Sequence, residues 1–299
     1  VRLNMIRGRI TKGIGGFYYV DTGDAIFECK ARGKFRKLGL TPMVGDICDV
    51  LPTEQGHGYL QEILPRKNQL IRPAVSNLDL LVIVASSAPP VTDCFLIDRV
   101  SAIALHLGME VALCINKCDL DEAQELYGLY QKIGISVIRV SGETGCGVDE
   151  LRKLLIGKCS AFTGNSGVGK STVLNQLEPA FGLKTGEINE KIGRGRHTTR
   201  HVELLRLEKN TWIADTPGFS AFDTERMELV TPEALQHGFP EFKPYLGQCR
   251  YQDCAHVRDQ GCAVLEAVAC GEIAQSRHAS YVRLYESLKE LPSWERKGS

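Results

Sequence analysis

Hydrophobic positions along the chain change rhythm twice. Over residues 1–68 the apolar runs are short and broken by glycine and polar turns. Phe17-Tyr18-Tyr19-Val20 follows Gly13, Gly15 and Gly16, residues 25–30 follow the turn Asp21-Thr22-Gly23-Asp24, and residues 44–50 alternate apolar with polar. Short strands at this spacing, with no helical stretch, predict a small barrel; five strands fit an OB-fold, with an SH3-like barrel as the alternative. From Leu78 onward, apolar strands over 80–85, 111–115, 135–140, 159–163, 202–207 and 212–214 alternate with helical segments. These include 98–107 and 148–155, the latter with Val148, Leu151 and Leu155 on one face. That alternation predicts a mainly parallel, doubly wound sheet. After Phe222 the strands stop and helices are expected over 263–270 and 276–291. In the last of these Tyr281, Leu284, Tyr285 and Leu288 form a stripe that reads as core packing. The expected organisation is a barrel over 1–68, an α/β domain over 69–225 and a mainly helical domain over 226–299.

The 299 residues leave room for two or three domains with their own cores. Hydrophobic content of 43% with 24% charged residues is ordinary for a soluble protein. The longest apolar run, 78–85, is interrupted by Asp79 and has the length of a strand, so no membrane partner is expected. Residues 1–10 carry three arginines but no apolar stretch after them, which argues against a secretory signal and for a cytoplasmic protein. Net charge is zero, yet residues 1–68 hold eleven Lys and Arg against seven Asp and Glu. Arg32, Lys34, Arg36 and Lys37 crowd together as candidate RNA-phosphate contacts, a solvated loop being the plainer reading.

Chemistry enters with Gly164-Asn165-Ser166-Gly167-Val168-Gly169-Lys170-Ser171, which fits G-x-x-x-x-G-K-[ST] between a predicted strand and a predicted helix. Its glycines let backbone N–H groups curl around phosphates, and the helix N-terminus adds a favourable dipole. Lys170 is placed to reach the β- and γ-phosphates and Ser171 to ligate Mg²⁺, with Thr172 beside them at the nucleotide. Asn116-Lys117-Cys118-Asp119 follows another strand. A carboxylate at Asp119 can accept from guanine N1–H and the N2 amino group, which adenine lacks. Asn116 can serve the purine's other edge, and Lys117 packs along the loop. Ser141-Gly142-Glu143-Thr144 follows the next strand and resembles a looser loop whose backbone N–H meets guanine O6. Asp215-Thr216-Pro217-Gly218 fits D-x-x-G, with Asp215 expected to hold Mg²⁺ through water and the Gly218 N–H to meet the γ-phosphate.

Four motifs thus fall at carboxyl ends of predicted strands, where doubly wound sheets bind ligands. Between the P-loop and D-x-x-G lies Gly193-Arg194-Gly195-Arg196-His197-Thr198-Thr199-Arg200, a basic loop holding a switch threonine, read as Thr199 with Thr198 the alternative. An ordinary GTPase has its P-loop first and its guanine motif late. Here the guanine motif comes first, the order of circularly permuted GTPases.

Eleven cysteines are present. Cys29, Cys48, Cys94, Cys114, Cys118, Cys146 and Cys159 are scattered and read as reduced core residues. Cys249, Cys254, His256 and Cys262 lie within fourteen residues and supply three thiolates and an imidazole, a set suited to a closed, structural, tetrahedral zinc site; Cys270 is the spare.

A barrel, a permuted G-domain and a Cys/His tail together resemble the ribosome-small-subunit-dependent GTPases, the RsgA (or YjeQ) family. The resemblance includes Val44-Gly45-Asp46, residues 66–73, Asp98-Arg99, the Gly-x-Gly-Arg-His-Thr-Thr loop and the cysteine cluster. It implies an OB-fold N-terminus, a role in late maturation of the small ribosomal subunit, and GTP hydrolysis stimulated by that subunit, with rRNA and GTP or GDP as partners of a monomer. One departure from ordinary GTPases touches mechanism. The residue after D-x-x-G is usually a glutamine that orients water, and here it is Phe219. The family's substitute maps onto His197, giving His197, Thr199 and Lys170 as expected catalytic residues; an rRNA-phosphate contact is the other reading of His197. A nucleotide-gated RNA-binding module with negligible turnover, and a permuted GTPase acting on another RNA, are the competing functions.

Overall fold

The computed structural model describes residues 5–70, 74–183, 202–215 and 230–290. Five strands open the chain: β1 (Ile6–Ile14), β2 (Phe17–Asp21), β3 (Ile26–Ala31), β4 (Ile47–Pro52) and β5 (His57–Ile63), with a short helix α1 (Gly33–Lys37) between β3 and β4. β1 pairs with both β2 and β4, β2 with β3, and β4 with β5, all antiparallel, while β3 and β5 run parallel. The ring closes on itself in the order 1-2-3-5-4, the OB arrangement, around Ile10, Val20, Cys29, Phe35, Cys48, Val50 and Leu60.

Val44-Gly45-Asp46 and the junction lock together below the barrel. Asp46 is fully buried and accepts from Arg66 Nε at 2.7 Å and Ser76 Oγ at 2.6 Å. Gly45 has φ of 95°, and a Cβ there would stand 2.0 Å from the Ser76 carbonyl oxygen, so no larger residue fits. A small pair, β6 (Gln69–Leu70) and β7 (Val75–Ser76), completes the junction.

The central domain comprises β8 (Leu80–Ser86), α2 (Cys94–His106), β9 (Glu110–Asn116), α3 (Gln124–Lys132), β10 (Ser136–Arg139), α4 (Val148–Leu155), β11 (Cys159–Thr163), α5 (Lys170–Leu177), β12 (Glu203–Glu208) and β13 (Thr211–Asp215). Its sheet order is β10-β9-β8-β11-β13-β12, parallel except for β12. β8 is buried at every residue, as expected of a parallel strand covered on both faces. One face packs under α4 and α5 through Leu151, Leu155, Val173 and Leu177. The other packs under α2 and α3, and that apolar cluster runs on into the C-terminal elements: Phe239, Phe242, Tyr281, Leu284 and Leu288 belong to it.

Two short 3₁₀ turns (Leu235–Gly238 and Pro240–Phe242) precede α6 (Ala263–Ala269) and α7 (Gln275–Glu290). Tyr281, Leu284 and Leu288 are buried on α7, as the stripe predicts. Sequence periodicity left β1, β5, α1 and α3 unassigned. It also started α2 four residues late, because the Asp93 carboxylate caps the helix by accepting from Phe95 N. None of the described helices is long and apolar enough to cross a membrane.

Candidate nucleotide and metal sites

The strands β8, β9, β10, β11 and β13 are parallel, so the loops leaving their carboxyl ends share one edge of the sheet. Three of those loops are joined by one side chain. Asn116, 3% exposed at the end of β9, donates from Nδ2 to the Val168 carbonyl at 2.8 Å and accepts at Oδ1 from Gly142 N at 2.9 Å. The guanine motif, the loop after β10 and the P-loop thereby form a single frame. These two bonds use one N–H and one lone pair of the Asn116 amide, and its second N–H and second lone pair remain for the purine's edge, where the sequence places it. Lys117, at φ of 65°, donates from Nζ to the Pro89 carbonyl at 2.5 Å, which brings the loop after β8 into the same frame. That loop was not legible as part of the site. Asp119, two residues after Lys117, is exposed.

The P-loop glycines are sterically required. A Cβ on Gly164 would lie 2.3 Å from the Val84 carbonyl oxygen, and one on Gly169 (φ 86°) 2.2 Å from Asn116 Nδ2. Val168 is fully buried and anchors the loop, while Asn165, Ser166 and Gly167 are open or half-open to solvent. α5 begins at Lys170, so Lys170, Ser171 and Thr172 form its first turn, all half-buried. Ser141 is buried and its Oγ accepts from Thr144 N at 3.1 Å, fixing the turn that presents Gly142. Asp215 ends β13. Thr199, His197, Phe219 and Gly218 lie outside the described residues, as do the other residues of the basic loop.

In the C-terminal part Cys249, Cys254, His256 and Cys262 converge, with all four donor atoms within 4.8 Å of one another. Zinc bound tetrahedrally at about 2.3 Å from sulfur and 2.0 Å from nitrogen sets S···S near ~3.8 Å and N···S near ~3.5 Å. Cys249 Sγ stands 3.8 Å from Cys262 Sγ, and His256 Nδ1 lies 3.6, 3.5 and 3.4 Å from the sulfurs of Cys249, Cys254 and Cys262. The donors fit the ion. Gln236, unmarked in the sequence, completes the set: its Oε1 lies 2.8 Å from His256 Nε2. A carbonyl oxygen there can only accept, so Nε2 carries the proton and Nδ1 is free to bind metal. Burial pushes the Cys254 and Cys262 thiols above the usual thiol value and lowers the His256 imidazole. The raised values keep these thiols protonated without a cation, so metal binding would release their protons.

Of the scattered cysteines, Cys29, Cys48 and Cys114 are core thiols pushed up to about 12 by burial, and Cys159 to about 11. Cys94 and Cys118 are only half-buried and Cys146 is exposed, so these three are not core residues. The basic run around α1 leaves Arg32, Lys34 and Lys37 exposed; the side chain of Arg36 lies outside the described residues. Arg32 extends over the Tyr59 ring at 5.9 Å, and Lys30 over Phe17 at 5.0 Å. Phe17, Lys30 and Tyr59 are cross-strand partners on β2, β3 and β5, so the cations continue into a mixed cationic and aromatic strip.

Comparison with known proteins agrees with this geometry. The RsgA GTPase family model matches residues 63–225, and the RsgA N-terminal domain model matches residues 7–60. A small ribosomal subunit biogenesis GTPase RsgA from Caldanaerobacter subterraneus subsp. tengcongensis is 44% identical, over 96% of this chain and 97% of its own. The protein of that description from Geobacillus kaustophilus is 41% identical, over 96% and 98%. Among solved structures, YjeQ from Thermotoga maritima superposes with a TM-score of 0.84 at 34% identity, covering 96% of this chain and all of its own. YloQ, described as a circularly permuted GTPase, gives 0.81 at 32% identity, covering 97% of each chain. With the permuted strand order, the framed nucleotide loops and these matches in hand, the chain belongs to the RsgA GTPase family.

Proposed function

We propose that this protein is a cytoplasmic, monomeric GTPase that binds the small ribosomal subunit and hydrolyses GTP during its late maturation, nucleotide state setting its grip on rRNA. The observation that carries the reading is the Asn116 bridge, which ties base-recognition and phosphate loops into one cleft. Relatives matching nearly the whole chain are described as small ribosomal subunit biogenesis GTPases.

Within that cleft Asp119 selects guanine, the Gly142 loop faces the base, and residues 164–169 wrap the phosphates. Lys170 lies along the β- and γ-phosphates. Ser171, Thr199 and Asp215 hold Mg²⁺, which neutralises phosphate charge when bound. His197 orients the attacking water in place of the missing glutamine, and the Gly218 N–H senses the γ-phosphate. Zinc at Cys249, Cys254, His256 and Cys262 is structural. Arg32, Lys34, Arg36 and Lys37 contact rRNA phosphate, in a division of the chain at 1–68, 69–225 and 226–299.

The test is GTP turnover with and without purified small subunits. The expected outcome is strong stimulation in the wild type and loss of most of it in His197→Ala at unchanged GTP affinity, since water-positioning groups in this reaction are worth on the order of a thousandfold. Turnover unaffected by subunits would favour a nucleotide-gated binding module. Stimulation of His197→Ala within about twofold of wild type, small beside that factor, would move the catalytic role elsewhere.

A further inference from the structure

The barrel and the G-domain are joined by more than the chain between them, because they share a sheet. β1 pairs antiparallel with β12 at Lys12↔Glu203, and β12 pairs antiparallel with β13 at Glu203↔Asp215. Lys12, Glu203 and Asp215 therefore occupy one cross-strand row. It runs from the barrel to the last residue of the strand that carries the D-x-x-G carboxylate.

The contact is narrow and specific. The Lys12 ammonium donates to Glu203 Oε2 at 2.8 Å, and a second link, Arg206 Nη1 to Asp21 Oδ2 at 3.3 Å, ties β12 to the end of β2. Among the described residues the β1–β12 register is that single pair. The Lys12 and Glu203 side chains are 33% and 42% exposed, and an ion pair this open adds little to stability. What it can do is fix which residues meet. The barrel is also fixed at the junction, where Asp46 accepts from Arg66 and Ser76, so a barrel held on its other face pivots there, and backbone pairing carries the movement of β1 across β12 to β13 without a flexible side chain between. Catalysis in such a site is sensitive to shifts of about 1 Å at the reacting groups.

We propose that Lys12 and Glu203 are positioning residues for GTP hydrolysis, the contact through which a barrel held on RNA sets the carboxyl end of β13. The inference rests on the proposed function, in which the barrel meets rRNA and Asp215 serves the nucleotide site. It separates two rates: the pair is silent in the free protein and needed on the subunit.

Single-turnover GTP hydrolysis tests it, with and without purified small subunits, in wild type, Lys12→Glu, Glu203→Lys and the exchanged double variant. Each single reversal is expected to lower the subunit-stimulated rate roughly tenfold, an ordinary size for coupling between sites. Basal rate, GTP affinity and co-sedimentation with subunits should stay at wild-type level, and the exchanged pair should recover most of the stimulation. Undiminished stimulation in both single variants, or an exchanged pair no better than either, overturns the inference. An equal fall in basal rate would mark a structural tether, and a loss of co-sedimentation would make the pair an RNA contact; both outcomes also overturn it. A wild type that subunits do not stimulate removes the proposed function itself and this inference with it.

Discussion

Asn116 shows how much of a binding site can hang on one amide. Its two hydrogen bonds reach a residue 26 positions later and another 52 positions later, and both partners are backbone groups. Replacing it with alanine leaves the Gly142 N–H and the Val168 carbonyl without those partners in a buried setting, at about 1–3 kcal/mol for each unsatisfied group. Asn116→Ala should therefore weaken GTP and GDP alike, by about 2 kcal/mol or roughly thirtyfold, as read by calorimetric titration. A selective loss of one nucleotide would contradict a framing role. The motif itself is legible in four consecutive residues; the bridge is not, because it depends on which loops the sheet order brings side by side. Gln236 is hidden for a similar reason. It sits in a single 3₁₀ turn with no periodicity, and only the fold brings it to His256.

Among the elements, α7 is the one whose role changes most once the fold is known. Its apolar stripe was readable, but Arg277 looks in sequence like any surface arginine on a helix. It is fully buried, donating from Nη1 to Asp98 Oδ1 at 2.5 Å and from Nε and Nη2 to the Glu241 carboxylate at 2.7 and 3.1 Å. Its guanidinium lies 4.7 Å from the Phe239 ring centre. Burial by itself lowers the Arg277 pKa, but the Glu241 hydrogen bond and the Glu241 and Asp98 charges raise it, so the group stays cationic. Asp98 also accepts from the Tyr130 hydroxyl at 2.5 Å, so one carboxylate joins α2, α3 and α7.

Removing the cation from such a cluster costs about 3–5 kcal/mol, because it leaves charge buried and uncompensated. Arg277→Met should lower unfolding stability by that amount in urea titration. Arg277→Lys should recover only part of it, since an ammonium cannot fork to both carboxylates. The strands of the G-domain were legible because apolar runs on a covered parallel sheet are continuous. β1 was not, because Arg7, Arg9 and Lys12 interrupt it and, of its buried positions Gly8, Ile10 and Thr11, only Ile10 carries a large apolar side chain.

For the molecule as a whole, the C-terminal part is no loosely hung tail. Its apolar residues belong to the cluster that covers α2 and α3, and a Cβ on Gly238 would lie 2.8 Å from the Ala102 carbonyl oxygen of α2. Metal removal is therefore expected to reach past the ligands. Chelation, or Cys254→Ser, should speed amide hydrogen exchange over 230–290 and also in α2, while β11 and α5 on the far face stay protected. Exchange confined to the ligand loop would show that the shared core stands without the ion. Metal analysis should find one zinc per chain, since among the described residues these four ligands are the one such group.

The strand order also has a consequence for how the chain comes into being. β8 lies between β9 and β11, and Leu80 pairs with Ser160, so the centre of the sheet closes only across 80 residues. A ribosome making this protein releases β8, β9 and β10 before β11. β8 must then wait, apolar from Leu80 to Ala85 and open along one edge, until β11 emerges to fill it. Contacts so distant in sequence are slow to form, and an unpaired apolar edge invites association with other nascent chains. The P-loop follows β11, and Asp215 is later still. An unfinished chain can thus possess Asn116 and Asp119 without the loop at 164–171, and so competes for nucleotide only once synthesis has passed Ser171.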